Sequence, residues 1–322
     1  MRDFRHDIRA KLSRLFDART ANHDDALAAC IAPNAQFDLA WPLPQCTGSS
    51  EINAAFLTPL RDALTGLHRR DILFFGEQNI RETGGQWIAS LTHYVGNFDS
   101  PLWGVAPNSS LVFLRAGEFF RIENGQITEA KIIFDLPDLM RQCGQMPLPS
   151  LGTEITFPAP ATQDGLCPNS QGAEVSLNIV QGMLGDLHVY DPETGGSEGQ
   201  TGTDGYWHEN MMWYGPAGIG SNFQWDGFVK DHRTPFLTAF PDRKGGNHYC
   251  RIGDGNYAAV SGWPSMTMTH QGDYLGVKAS GKALTLRVMD FYRCDGRQIN
   301  ENWVCLDYGD LFAQMGINLL ER

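Results

Sequence analysis

Phe119–Gly144 reads FFRIENGQITEAKIIFDLPDLMRQCG, and Phe291–Gly316 reads FYRCDGRQINENWVCLDYGDLFAQMG. The two stretches align without a gap at an offset of 172 residues, and ten of their 26 positions are identical, among them Phe119/Phe291, Asp135/Asp307 and Gly144/Gly316. A period this long exceeds the ~20–50 residues of a solenoid unit, so the repeated object is a domain. The 322 residues are the length of two ordinary domains.

Outward from the repeat, each copy follows one plan. Helical periodicity comes first, over Phe4–Phe16, Asp24–Ile31 and, in the second copy, Val175–Leu187. A short strand and a Pro turn follow (Phe37–Pro42, Met211–Pro216), then a helix (Ile52–Leu64, Trp225–Leu237), then long strands. Asn124-Gly125 and Asp295-Gly296 mark hairpins at nearly equivalent places. A brief helix closes each copy, after Pro137 and after Gly309. Helices followed by an antiparallel sheet predict an α+β fold. The expected organisation is a domain over 1–144, a Pro-rich linker over 145–172 and a domain over 173–322. The polar, Gly-rich stretch Asp191–Gly205 interrupts the second copy. It reads either as a tolerated surface insertion or as a lid over a pocket.

Composition narrows the function. A net charge of −12 argues against phosphate backbones and anionic membranes as partners. Seven cysteines at unpatterned spacings, with no CxxC, read as reduced thiols in a cytoplasmic protein. Acidic residues interleave the basic N-terminal helix, which speaks against a transit peptide. No Walker loop and no HExxH occurs, and no dinucleotide fingerprint sits on a strand–helix turn.

Several separated motifs then appear in order: Trp213-Tyr214-Gly215-Pro216, Ala239-Phe240-Pro241-Asp242, the stretch Thr269–Val277, and the closing line from Phe291 to Gly316. Residues 206–317 thereby resemble the SnoaL-like polyketide cyclase (ester cyclase) family of the nuclear transport factor 2-like superfamily. The first copy is similar more loosely, through Thr92-His93, Gly104-Val105 and the repeat. The resemblance implies two tandem cone-shaped domains of cystatin-like topology, each a curved sheet wrapped around helices and an apolar pocket, paired as a pseudo-dimer within the chain. It also implies ring closure by intramolecular aldol condensation without metal, nucleotide or other cofactor. The implied partner is a small apolar carbonyl or polyketide-like compound, and a homodimer of chains stays open. The family's general acid/base, an Asp before the terminal helix, matches Asp307 and, by repetition, Asp135. His270 and Arg293 are the candidates for its polar neighbours.

The residues have their own chemistry. On an extended chain Ile299, Glu301, Trp303, Cys305 and Asp307 share one face. A carboxyl beside Trp303 and Cys305 is partly desolvated, which raises its pKa toward the range a proton shuttle needs. Asp307 capping the following helix is the alternative. In the first copy Lys131 replaces Trp303, and an ammonium there favours a structural ion pair for Asp135. His270 and His93 sit in matching Thr-His pairs. Trp207, Trp213, Tyr214, Trp225, Trp263 and Trp303, with His208, Asn210, Asn247 and His248, are candidate walls of a pocket for a flat ligand. The expected activity is cyclase-like proton transfer; an isomerase or dehydratase needs similar steps, and a non-catalytic binding protein is the rival.

Overall fold

The computed structural model describes residues 3–153, 157–169, 171–189, 197 and 199–321. The chain begins with α1 (Phe4–Leu15) and α2 (His23–Cys30). The Asp3 side chain caps α1 by accepting from Arg5 N, and Asn22 caps α2. The stripe Ile8, Leu12 and Leu15 is buried, as its spacing predicts. Then come β1 (Ile31–Leu39), β2 (Cys46–Thr47), α3 (Ser49–Ile52), a π-turn (Asn53–Leu57) and α4 (Thr58–Ala63). Strands β3 (Leu64–Gln78), β4 (Gln86–Phe98), β5 (Leu111–Glu123) and β6 (Gln126–Phe134) precede α5 (Leu136–Gln142). Asn124 and Gly125 both take positive φ, 51° and 73°, the two-residue hairpin that Asn-Gly favours.

The second domain repeats the plan with α6 (Ala173–Leu187), β7 (Trp207–Tyr214), β8 (Ser221–Phe223), α7 (Gln224–Phe228), a second π-turn (Val229–Arg233) and α8 (Thr234–Ala239). It ends with β9 (Cys250–Asp254), β10 (Tyr257–Thr269), β11 (Ala283–Cys294), β12 (Ile299–Leu306) and α9 (Tyr308–Met315). Sheet orders are β2-β1-β6-β5-β4-β3 and β8-β7-β12-β11-β10-β9, the same topology twice. The sheets are mixed rather than wholly antiparallel, because β1 adds parallel to β6 and β7 parallel to β12. The helices that follow each of these entering strands return the chain to the far edge, so the entering strand lies beside the last one, pointing the same way. Among the described residues no helix is long and apolar enough to cross a membrane.

Each sheet buries both faces. One packs on its own helices, giving two separate cores. The other packs on the sister sheet, where Phe75, Trp87 and Phe119 meet Tyr257, Met289, Phe291 and Trp303. The repeat partners Phe119 and Phe291 touch each other, with ring centroids 5.7 Å apart, as residues beside a pseudo-twofold axis do. Strand caps reinforce the pairing: Trp41 N donates to Asp307 at 3.4 Å, and Ala217 N donates to Asp135 at 3.0 Å. Between the domains, the chain around Gly165–Cys167 is stitched to β3 by Phe74, whose N–H donates to Gly165 O and whose carbonyl accepts from Cys167 N.

Gly117 lies in the contact between the two sheets. A Cβ there would meet Cys305 Sγ at 2.9 Å and Phe291 Cε2 at 3.2 Å. Gly117→Val therefore lowers stability in urea unfolding by about 1–3 kcal/mol, the usual cost of overpacking. Gly185→Ala, on the exposed side of α6 with nothing within 4 Å, raises it by about 0.5–1 kcal/mol.

Candidate active site

The helix-facing side of the second sheet carries a cavity of about 140 Å³. Its apolar wall comes from Trp207 and Trp213 on β7, Phe228 and Phe236 on the broken helix, and Leu286, Val288, Val304 and Leu306 on β11 and β12. Asp290, Tyr292 and Asn302 supply polar groups from the sheet, and His188, His232 and His248 from the rim and helices. The corresponding space in the first domain is about 10 Å³ and wholly apolar in its lining. There Phe16, Phe56, Tyr94, Trp103 and Phe134 fill the interior, with ring centroids 4.8–6.4 Å apart.

Asp290 is the carboxyl in this cavity. It is half-buried because its free surface faces the cavity, while protein encloses it elsewhere. Burial pushes its pKa up to about 7, offset only in part by hydrogen bonds with the side chains of Asn302 and Tyr292. Glu118 is its repeat counterpart: it pairs with Ser90 and Ile132 across the strands as Asp290 pairs with Val260 and Val304. Glu118 is wholly buried and forked by Arg69, at 2.9 and 2.5 Å, and it accepts from Tyr94 OH. The second domain lacks this arginine because β9 has five residues where β3 has fifteen. The missing length runs as a loop through Gly245-Gly246, which forms the cavity rim. Gly246 takes φ +84°, and a Cβ there would lie 3.1 Å from His188 Cε1.

His232 lies on the second π-turn, stacked on Trp213 with centroids 4.5 Å apart. Its Nδ1 has no hydrogen-bond partner among the described residues. Burial, with Arg243 and Arg233 nearby, lowers its pKa to about 3, so the ring is neutral. Trp207 is held by Gln200, whose Oε1 accepts from Trp207 Nε1 at 2.9 Å. Gln200 is fully buried, so this end of the Asp191–Gly205 stretch is anchored in the wall instead of lying free on the surface. Residues 191–196 and 198 lie outside the described residues.

Of the residues expected from sequence, Trp207, Trp213 and His248 line the cavity. Asp307 does not. It caps α9, accepting from Asp310 N at 3.1 Å, and pairs with Arg287 at 3.0 Å. Burial raises its pKa to about 6 against the pull of Arg287. Asp135 is its mirror, capping α5 and paired with Arg115 at 2.9 Å. Lys131 is not its partner, because the lysine binds Asp38 and Glu129; burial raises the Asp135 pKa instead of an ammonium lowering it. Trp303 and Tyr214 stack on each other in the sheet-to-sheet core, 5.3 Å apart. Trp263 lies under the Arg287 guanidinium at 4.7 Å, with Lys131 of the first domain on it as well. Arg293 is paired with Glu301, which also accepts from Ala161 N. His270 bonds Ser280 Oγ at 3.1 Å beside Phe240. Trp225 packs behind the wall on Trp207 and Phe228. His208 lies in a separate open groove with Glu209, Asp295 and Arg297.

The strand alternation is real, but its two faces have the opposite assignment. Trp303 and Cys305 face the sister sheet, while Asn302, Val304 and Leu306 face the cavity. Both faces are apolar, so periodicity alone does not say which one meets the helices. The missed signal was an acid at the same place in both copies, Glu118 and Asp290, one residue ahead of the aligned block.

Residues 201–315 match the family model described as SnoaL-like polyketide cyclase. Among curated proteins none matches the chain. Similar solved structures include a candidate SnoaL-like polyketide cyclase from Jannaschia sp. CCS1, 18% identical, covering 42% of this chain and 90% of its own, with a TM-score of 0.33. IdmH, a candidate polyketide cyclase from Streptomyces antibioticus, is 16% identical, covers 46% and 99%, and has a TM-score of 0.33. A candidate polyketide cyclase from Pseudomonas putida KT2440 is 18% identical, covers 44% and 98%, and has a TM-score of 0.35.

The Asp290 carboxyl gives a stability signature. Its folded pKa, about 7, lies above the ~4 of an unfolded chain. Below pH ~4 both states hold the proton. Between ~4 and 7 only the folded state does, so wild-type stability falls as pH rises through that window. Asp290→Asn removes the titration. In urea unfolding the variant gains on wild type from pH 4 to 7, and the gap then stays level to pH 9. Asp307 titrates in both proteins and cancels from the difference.

Proposed function

We propose that the second domain, a SnoaL-like domain over residues 201–315, is an acid/base enzyme of the cyclase kind acting on a small apolar carbonyl compound. The observation that carries the reading is Asp290: a carboxyl with a pKa of about 7 on the wall of an apolar cavity, whose counterpart Glu118 is tied up by Arg69. Near neutral pH such a group both accepts and returns a proton.

The chemistry follows from that poise. Ionised Asp290 takes the proton from a carbon next to a carbonyl, and the C–H electrons pass into the enolate. The enolate carbon attacks a second carbonyl of the same molecule and forms the ring bond. The new alkoxide takes its proton back from Asp290. Asn302 and Tyr292 lie beside the carboxyl and favour its ionised form. The rings of Trp207, Trp213, Phe228 and Phe236 offer flat apolar surface for the carbon skeleton. The first domain, its interior filled, is the structural copy. Asp307 and Asp135 take part through the domain interface, as caps and ion-pair partners. Isomerisation or dehydration would use the same first proton transfer. A cytoplasmic location accompanies this reading, through the unpaired cysteines.

Deuterium exchange next to the carbonyl of 1-tetralone, followed by proton NMR, tests the first step without knowledge of the natural product. Wild type accelerates the exchange, with kcat/KM rising as Asp290 ionises around pH 7. Asp290→Asn lowers the rate ~10²-fold or more, while Asp307→Asn, assayed where it is folded, retains most of it. A folded Asp290→Asn protein that exchanges at the wild-type rate removes Asp290 from the mechanism. Binding of 1-tetralone without accelerated exchange by wild type leaves the ligand-binding reading in its place.

A further inference from the structure

We infer that the first domain completes the cavity of the second: its turn Asn79–Thr83 is a positioning element that fixes His248 as a neutral Nε2–H donor to the carbonyl oxygen of the bound compound. The identity of that oxygen rests on the acid/base reading above. The positioning does not.

The turn between β3 and β4 leans across the domain boundary onto the segment that carries His248. Arg81 Nε donates to His248 O at 3.0 Å. Tyr249 O accepts from Asn79 Nδ2 at 3.0 Å and from Thr83 Oγ1 at 2.7 Å. Asn79 Oδ1 accepts from Arg251 N at 3.0 Å, and Ile80 N donates to Arg251 O at 3.2 Å. The buried Asn79 amide thus uses both its ends on one short stretch of the other domain. On its other side that stretch is held by its own sheet, Tyr249 N donating to Ser261 O at 3.0 Å. His248 is the rim residue of this clamped segment and lines the cavity.

The imidazole itself is fixed by Arg251, whose Nε donates to His248 Nδ1 at 3.1 Å. A guanidinium only donates, so Nδ1 presents its lone pair and the ring proton lies on Nε2. Nε2 has no hydrogen-bond partner among the described residues. The charged and titratable groups around the ring are Arg251, Arg81 and His188. Burial first, then Arg251 and Arg81, lowers the His248 pKa to about 3 and keeps the ring neutral. A neutral N–H held in place stabilises charge as it develops on a carbonyl oxygen.

The device runs in one direction. The β9–β10 turn is only Gly255-Asn256, too short to return the same clamp to the first domain. The copy with the long turn is the copy with the filled interior.

The test uses the full chain labelled with 15N-histidine. Wild-type His248 shows the Nε2–H tautomer and does not titrate between pH 5 and 9. In Arg81→Ala, a surface substitution that leaves the fold intact, and in Asn79→Ala, the tautomers mix and titration moves up toward the ordinary imidazole range near ~6.5. Arg81→Lys restores much of the wild-type spectrum. Adding 1-tetralone shifts the wild-type Nε2 resonance, and in Arg81→Ala the exchange reaction loses roughly tenfold in kcat with KM nearly unchanged, as expected for a lost transition-state contact. A folded Arg81→Ala protein with unchanged His248 tautomer and titration overturns the positioning role. A Nε2 resonance indifferent to 1-tetralone overturns the donor role. If Asp290→Asn leaves exchange intact while the His248 spectra behave as stated, the acid/base reading fails and the positioning inference stands.

Discussion

The face-to-face packing of two apolar sheet surfaces is the constraint on which the rest depends. A six-stranded sheet whose second face is as oily as its first is not a finished domain, and each copy supplies the cover for the other. Phe119 against Phe291 sets the axis, and the exchange of backbone donors to Asp135 and Asp307 pins the ends of the last strands. Because the two caps are buried within that contact, their carboxyls have little freedom for chemistry. Their raised pKa values record the cost of burial. A displaced pKa points to chemistry only where a ligand can reach the group; Asp290 lines the cavity and Asp307 does not.

Much of this fold was legible in the chain. The repeat gave the duplication, the Asn-Gly turn gave its hairpin, and the spacing of Ile8, Leu12 and Leu15 gave the first helix. The orientation of the strands was not legible. Trp303 and Cys305 looked like pocket walls because they are large or soft and alternate correctly, yet Val304 and Leu306 alternate just as well on the other side. A strand covered on both faces carries no mark of which cover is helix and which is sheet. Asp135 illustrates a second limit. Its pairing with Lys131 assumed a strand that continues to the aspartate, whereas β6 stops at Phe134 and the chain turns to make a cap. His248 was placed near the pocket, but nothing local shows that its backbone carbonyl is held by Arg81, far earlier in the chain.

The two copies also show how a carboxyl at one position acquires two fates. Glu118 and Asp290 occupy the same register, and the difference lies in what surrounds them. A long β3 brings Arg69 to the first, and aromatic rings close the space around it. A short β9 leaves the second facing an open volume, beside Asn302 and Tyr292. One copy uses its acid to tie strands together, while the other keeps its acid near neutrality at the expense of stability, a trade common at sites of chemistry.

The chain between the domains has a consequence in terms of concentration. Two free subunits meeting through the same sheet faces would separate on dilution, and their stability would depend on how much protein is present. Tethered by one linker, the faces see each other at an effective concentration on the order of millimolar whatever the amount in solution. A short stitch such as Phe74 to Gly165 and Cys167 shortens the free tether further. The pseudo-dimer is therefore fixed by the chain itself, and a scarce protein keeps the same paired form as an abundant one.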